Sequence, residues 1–275
     1  MVKRAVVIGI NYRGSSAELS GCINDAHNLK AYLVEKQGFA EADIRLMTDD
    51  TPGDLLPTKQ NILSAMDWLV HDAQPGDSLW FSQSSHGGQQ RDHNGDERDG
   101  LDETLIPLDY QTNGVIVDDE VRKRLVDPLP AGARLTAVLD MCHSGTSMDL
   151  LWLWEDNSRY VKPSRAQKYD SKEWLTRTTV TKTGRYAESN ADVVCISGCQ
   201  DRSTSADAWE EGKSTGAMTY ALLKTLRNAE KRGKADITLQ RLLKDMTCLL
   251  RVKRYSQVPQ LSTGKRTPLE AKFEL

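Results

Sequence analysis

The chain lacks any apolar run approaching the roughly 20 residues that a membrane-spanning helix requires. Met1–Arg4 lead straight into a candidate strand, so no secretory signal is expected either. Cysteine is sparse and scattered: Cys22, Cys142, Cys195, Cys199 and Cys248 make an odd count of 5, with no framework of spacings. That argues against a disulfide-stapled fold and suits a reducing compartment, so the expected location is cytoplasmic, or also nuclear, with no membrane partner. Cys195 and Cys199 have no companion histidines, which sets aside a zinc site there. Neither sign of charge dominates. A net charge of -3 offers no general polyanion-binding surface, and nucleic acid is not an expected partner. Internal repeats and low-complexity tracts are missing too. What is left is an ordinary globular composition, 39% hydrophobic and 27% charged over 275 residues, long enough to bury a sizeable core.

Short apolar runs alternate with helical patterns along the first 150 residues. Ala5–Ile10, Ile44–Met47, Leu79–Ser82 and Leu135–Leu139 read as buried strands, while Asn24–Lys36, Thr58–Val70 and Asp118–Leu125 read as helices, the second capped by Thr58. An acidic loop, Asp92–Glu103, precedes an expected hairpin over Leu105–Val117 that turns at Asn113-Gly114. Residues 151–190 break the rhythm and hold Lys, Arg, Trp, Tyr and Thr with no sustained period, as a long exposed loop would. Val193–Ser197 then reads as a strand, Thr215–Asn228 and Thr238–Lys253 as helices, and Lys272–Leu275 as a last strand. This alternation implies an α/β fold, a mainly parallel central sheet with helices on both faces. One domain is expected, regions 1–150 and 191–275 being joined by the 151–190 loop.

Two of the apolar runs end on chemistry. Leu135–Leu139 leads to Asp140-Met141-Cys142-His143-Ser144-Gly145, and a run from Ser78 leads to Ser84-Ser85-His86-Gly87-Gly88, 56 residues before the cysteine. In open α/β sheets, sites form where parallel strands end, so neighbouring strands would present Cys142 and His86 at one edge. A free thiol is only slightly ionised at neutral pH and needs a base to become a good nucleophile, a role His86 can fill. Gly87 and Gly88 allow a close backbone approach, and the amides of Gly87 and Cys142 are candidates for an oxyanion hole. The bland alternative is a buried thiol beside a turn histidine. His143 is a second candidate base, although adjacent residues leaving a strand point different ways.

Those motifs resemble the Asp-x-Cys-His-Ser-Gly and Ser-Gly-His-Gly motifs of the metacaspases. Gly9-Ile10-Asn11-Tyr12, Gly21-Cys22-Ile23-Asn24-Asp25, Pro57-Thr58-Lys59, Val117-Asp118-Asp119 and Thr204-Ser205-Ala206-Asp207 also resemble type I members, the fungal and protist kind. The resemblance runs essentially from Arg4 to the C-terminus. It implies a caspase-like αβα sandwich with large- and small-subunit-like regions in one chain, acting as a monomer. It also implies a calcium-dependent cysteine endopeptidase that cuts protein or peptide substrates after Arg or Lys and processes itself within 151–190. Three departures stand out. Ser85 replaces a glycine, which would strain the loop if that position needs positive φ. Met141 replaces a small residue or cysteine, and the Pro- and Gln-rich N-terminal extension common in the family is absent.

Taken blind, Asp25 is a first-turn helix acid and Asp140 equally a strand-end turn residue. The resemblance implies that both are acids of the pocket for a basic side chain, with Ser84 and Cys22 as its wall. The acidic loop spaces oxygens as an EF-hand does, but Glu97 stands where that loop needs glycine. The resemblance instead implies calcium held by Asp102, Asp118, Asp119 and Asp149. Two rival readings stay open: a clostripain-like Arg protease and a calcium-responsive, non-proteolytic binding or quality-control scaffold.

Overall fold

Ala5–Gly9 are all buried, on both faces of their strand, which requires cover above and below the sheet. The computed structural model describes residues 1–95, 97, 100–141, 147–156, 178–183, 186–199, 207–210, 213–233, 237–255 and 257–275, and supplies that cover. Strands β1 (Lys3–Gly9), β2 (Ile44–Thr48), β3 (Ser78–Ser84), β7 (Arg134–Asp140) and β10 (Asp192–Cys199) are parallel. With β8 (Trp152–Asp156), β9 (Thr178–Lys182) and β13 (Val258–Thr263) they form one sheet, in the order β2-β1-β3-β7-β10-β13-β8-β9. The last three join antiparallel. On one face pack α1 (Cys22–Gln37), α5 (Ala217–Lys231) and α6 (Leu239–Val252), and on the other α2 (Lys59–Val70) and α4 (Asp118–Leu125). This is the expected αβα sandwich. Each helix face follows from its sequence: α2 buries Ile62, Leu63, Ala65, Met66 and Leu69, spaced as one stripe, and Thr58 caps it by accepting from the Asn61 amide at 3.3 Å.

The departures have physical reasons. The expected 105–117 hairpin is not a single tight turn. β5 (Leu101–Leu105) does pair with β6 (Ile116–Val117), but a helical turn, α3 (Tyr110–Asn113), lies between them and ends at Gly114, whose φ is +73°. With β4 (Gly87–Arg91) these strands form a separate three-stranded sheet, so part of the acidic loop is strand. The last strand is β13, not Lys272–Leu275, where an isolated bridge pairs Lys272 with Thr238. Pro259 and the polar Gln260 and Ser262 hide β13 from a search for apolar runs. The 151–190 segment contributes β8 and β9 to the main sheet, and residues 157–177 lie outside the described part. A small hairpin, β11 (Asp207–Glu210) with β12 (Lys213–Gly216), leads into α5.

Register decides where the chemistry sits. Gly9 pairs with Ser84, and Ser84 with Asp140, so three strands end in line at one sheet edge. There α1 begins almost on top of β1. A Cβ on Gly9 would lie 2.8 Å from the Cys22 carbonyl carbon and 2.9 Å from the Ala26 Cβ, and closer still to the Cys22 carbonyl oxygen. Backbone on one side and a buried methyl on the other leave nothing that can swing away. Gly9→Ala is therefore expected to destabilise the protein by about 1–3 kcal/mol, the usual cost of overpacking a filled interior. Urea unfolding, read as a lower midpoint at unchanged slope, checks this.

Candidate active site

His86 follows β3 by two residues and Cys142 follows β7 by two, and these strands are neighbours with Ser84 opposite Asp140. The two strands that lead to these residues are thus neighbours that end at one edge, as expected. Cys142 and His143 themselves lie outside the described residues. His86 is held on three sides. Its Nε2 lies 2.8 Å from the Ala17 carbonyl, its amide donates to the Tyr12 hydroxyl at 3.2 Å, and the two rings sit 5.0 Å apart. A carbonyl oxygen only accepts, so Nε2 carries the proton and Nδ1 remains available to a thiol. Tyr12 in turn donates to the Ile106 carbonyl at 2.6 Å and adopts a φ of 52°. Gly87 opens β4 directly after the histidine, opposite Leu105.

Ser85 does not strain this loop. Positive φ among the described non-glycine residues is confined to Tyr12, Asp72, Asp149 and Arg254, so position 85 has no need of glycine. Its buried hydroxyl accepts from Gln83 Nε2 and donates to the His86 carbonyl, both at 2.9 Å. Met141 is wholly buried in the core beneath the edge.

The two candidate pocket acids come together. Asp25 on α1 and Asp140 at the end of β7 are 0% and 4% exposed. Ser84 donates to Asp25 Oδ2 at 2.7 Å, the Gly216 amide reaches both Asp25 oxygens at 2.9 Å, and the Thr215 hydroxyl donates to Oδ1. Asp140 accepts from the Thr219 amide at 2.8 Å and from Gln257 Nε2 at 3.3 Å. Burial first, and the neighbouring Asp140 charge second, push the Asp25 carboxyl up to about 8 against the pull of its donors. The pair titrates as a unit, and a cation delivered to it would relieve both effects. Cys22, buried, opens the same turn of α1. Thr215, Gly216, Thr219 and Gln257 were not singled out from the sequence. The only signal for them was the polar Lys213-Ser214-Thr215-Gly216 stretch ahead of a helix, which reads equally as an ordinary helix start.

A second acidic group lies beside α4. Carboxylate oxygens of Glu97, Glu103 and Asp118 lie within 4.8 Å of one another. Asp118 accepts from the Glu103 amide at 2.7 Å and the Asp119 amide at 3.0 Å. Burial, then the Asp149 charge, push the Asp118 carboxyl up to about 9, with Glu103 adding to the rise. Of the four candidate ligands, Asp118 and Asp149 therefore lie close enough to act on each other. Asp102 is buried one residue before Glu103, while Asp119 accepts from Asn94 Nδ2 at 3.0 and 2.8 Å. Glu97 and Glu103 join the cluster unforeseen, because the sequence offered them only as parts of a failed EF-hand pattern. The donors are all carboxylate oxygen, a set that suits a hard cation such as calcium.

Comparison with known proteins agrees with the motifs. The family described as metacaspase, peptidase C14 domain, matches residues 3–151. Metacaspase-1 of Cryptococcus neoformans is 41% identical, covering 95% of this chain and 62% of its own length. Metacaspase-1 of Eremothecium gossypii is 41% identical, with 99% and 66% covered. The chain thus spans less than two thirds of these two relatives. The Saccharomyces cerevisiae Metacaspase-1 is 39% identical over 98% of the chain. Among solved structures, protein GSU0716 from Geobacter sulfurreducens superposes with a TM-score of 0.64 at 25% identity, covering 100% of this chain and 98% of that one. With its caspase-like sandwich, a family match over more than half its length and relatives aligned along nearly all of it, the chain belongs to the metacaspases.

Proposed function

We propose that the chain is a cysteine endopeptidase that cleaves peptide bonds after Arg or Lys, acting as a monomer. The observation that carries this is the buried Asp25–Asp140 pair beside His86, on the same sheet edge that delivers Cys142. Cys142 attacks the scissile carbonyl carbon, and His86 takes the thiol proton through Nδ1 and passes it to the departing amine. The amides of Gly87 and Cys142 are the proposed donors to the oxyanion. Water then attacks the thioester with His86 as base, which frees the carboxylic acid and restores the thiol. The intact backbone geometry at Ser85 supports the enzyme over a non-proteolytic scaffold. The substrates are proteins or peptides, and a cytoplasmic or nuclear setting suits the scattered cysteines. No helix among the described residues is long and apolar enough to cross a membrane.

Calcium is proposed as the activator. Asp118, Glu103, Glu97 and Asp149 would hold it, with Asp102 and Asp119 on the same loops. When bound, it supplies the positive charge that lets these carboxylates converge. Arg122 ties the region to the rest of the fold, donating to the carbonyls of Asp149 and, at 2.9 Å, Ala187. Asp149 stands seven residues after the nucleophile in sequence, so the ion is proposed to act on the cleft rather than on bond cleavage.

Hydrolysis of a fluorogenic peptide ending in Arg tests the reading. Cys142→Ala is expected to abolish turnover and His86→Ala to reduce it on the order of 10^3-fold or more, with His143→Ala much milder. Asp25→Ala or Asp140→Ala should cost about 3–5 kcal/mol in kcat/KM for Arg and Lys peptides alike, the loss for a buried ion pair deprived of one partner. A preference for Asp at P1 would overturn the pocket.

The raised carboxyl of Asp25 has a signed effect on stability. Its folded value lies above its unfolded one, so its contribution is complete below the ordinary carboxylate range and is lost as pH rises through about 8. Asp118 acts in the same sense. Urea midpoints of the substrate-free protein should therefore decline between about pH 4 and 8 on this account, and Asp25→Asn should make the decline shallower.

Calcium should bind with an affinity that Asp118→Asn lowers, read by titration calorimetry, and chelator should silence hydrolysis. Adding calcium should also produce cuts within 151–190, after Arg159, Lys162, Arg165, Lys168, Lys172, Arg177, Lys182 or Arg185, seen by intact mass. Full activity in excess chelator, or cuts mapping elsewhere, would count against this.

A further inference from the structure

Thr215 and Gly216 approach the two pocket acids from the far half of the chain, and Gly216 is a glycine for reasons of space. Its φ of -67° and ψ of 137° suit any residue, so its backbone makes no demand for glycine. A Cβ there would lie 2.6 Å from Asp25 Oδ2 and closer still to Asp140 Oδ2. Neither carboxylate can retreat without losing bonds. Asp25 is held by Ser84, Thr215 and the Gly216 amide, and Asp140 by Thr219 and Gln257. Gly216 cannot retreat easily either, because its backbone pairs with Asp207 across the β11–β12 hairpin. The bare Cα is the surface against which both acids are packed.

We propose that Thr215 and Gly216 are the positioning residues that set the charge preference of this pocket, acting through Asp25 and Asp140. Thr215 aims Asp25 by a buried hydroxyl, and Gly216 fixes the separation of the two carboxylates by donating its amide while presenting no side chain between them. The proposal rests on the reading of this pocket as the seat of a basic side chain.

A peptide ending in arginine and the same peptide ending in citrulline, the uncharged isostere, separate charge recognition from shape. For the wild type in calcium, kcat/KM should favour arginine by a large factor. Gly216→Ala should reduce that ratio at least tenfold, with the change carried mainly by KM for the arginine peptide. Should Gly216→Ala fail to fold, judged by its urea midpoint, Thr215→Val decides in its place. It keeps the shape and removes the donor, and should lower the same ratio, with Thr215→Ser restoring it. A variant that slows both peptides equally and keeps the wild-type ratio would overturn the proposal, since a merely structural role predicts that pattern. A wild type that does not distinguish the two peptides would instead remove the pocket reading itself, before any variant is compared.

Discussion

The meeting of Asp25 and Asp140 is unfavourable by itself. Loss of water and mutual repulsion both oppose the charged pair, and only donors aimed from the surroundings make the arrangement tolerable. Supplying those donors draws on distant parts of the chain: Ser84 from β3, Thr215 and Gly216 from β12, Thr219 from α5 and Gln257 just before β13. Around the two acids, donors from the early and late parts of the chain thus meet in one site. A cation proposed to neutralise them would meet donors already in place, the condition under which binding energy is not spent on reorganisation.

The same logic recurs beside α4, where Glu97, Glu103 and Asp118 crowd together with Asp149 acting on Asp118. Donors reach both centres: amides and hydroxyls at Asp25, and at the second the Glu103 and Asp119 amides on Asp118, Gln89 on Glu103 and the Tyr186 hydroxyl on Glu97. The second differs in gathering carboxylate oxygens from three side chains, a set that suits a hard cation.

Much of this was legible in the sequence. Parallel strands show as short apolar runs because both faces are buried, and the residues following two of them carry the family motifs. The order of β3 and β7 was inferred from that alone, and their register bears it out. Legibility failed where burial was not apolar. β13 carries Pro259, Gln260 and Ser262, and β9 is nearly all Thr and Lys at the sheet's outer edge, so no hydrophobic period marks them; β8 does open on the apolar Trp152-Leu153-Trp154, a run not read as a strand. Gly216 failed for another reason. A glycine required by positive φ advertises itself in a turn, but one required by the neighbours of its absent side chain is visible only in three dimensions.

The strand order carries a mechanical consequence. Divide the chain anywhere between Asp156 and Thr178, and β1, β2, β3, β7 and β8 belong to the first piece, β9, β10 and β13 to the second. Across the sheet the pieces then alternate rather than lie side by side, with β10 and β13 gripped between β7 and β8, and β9 hooked outside β8. Separation would require three ladders to unzip together. Such a cut would change the covalent connectivity while the two pieces stayed interleaved in one sheet, as a woven pair.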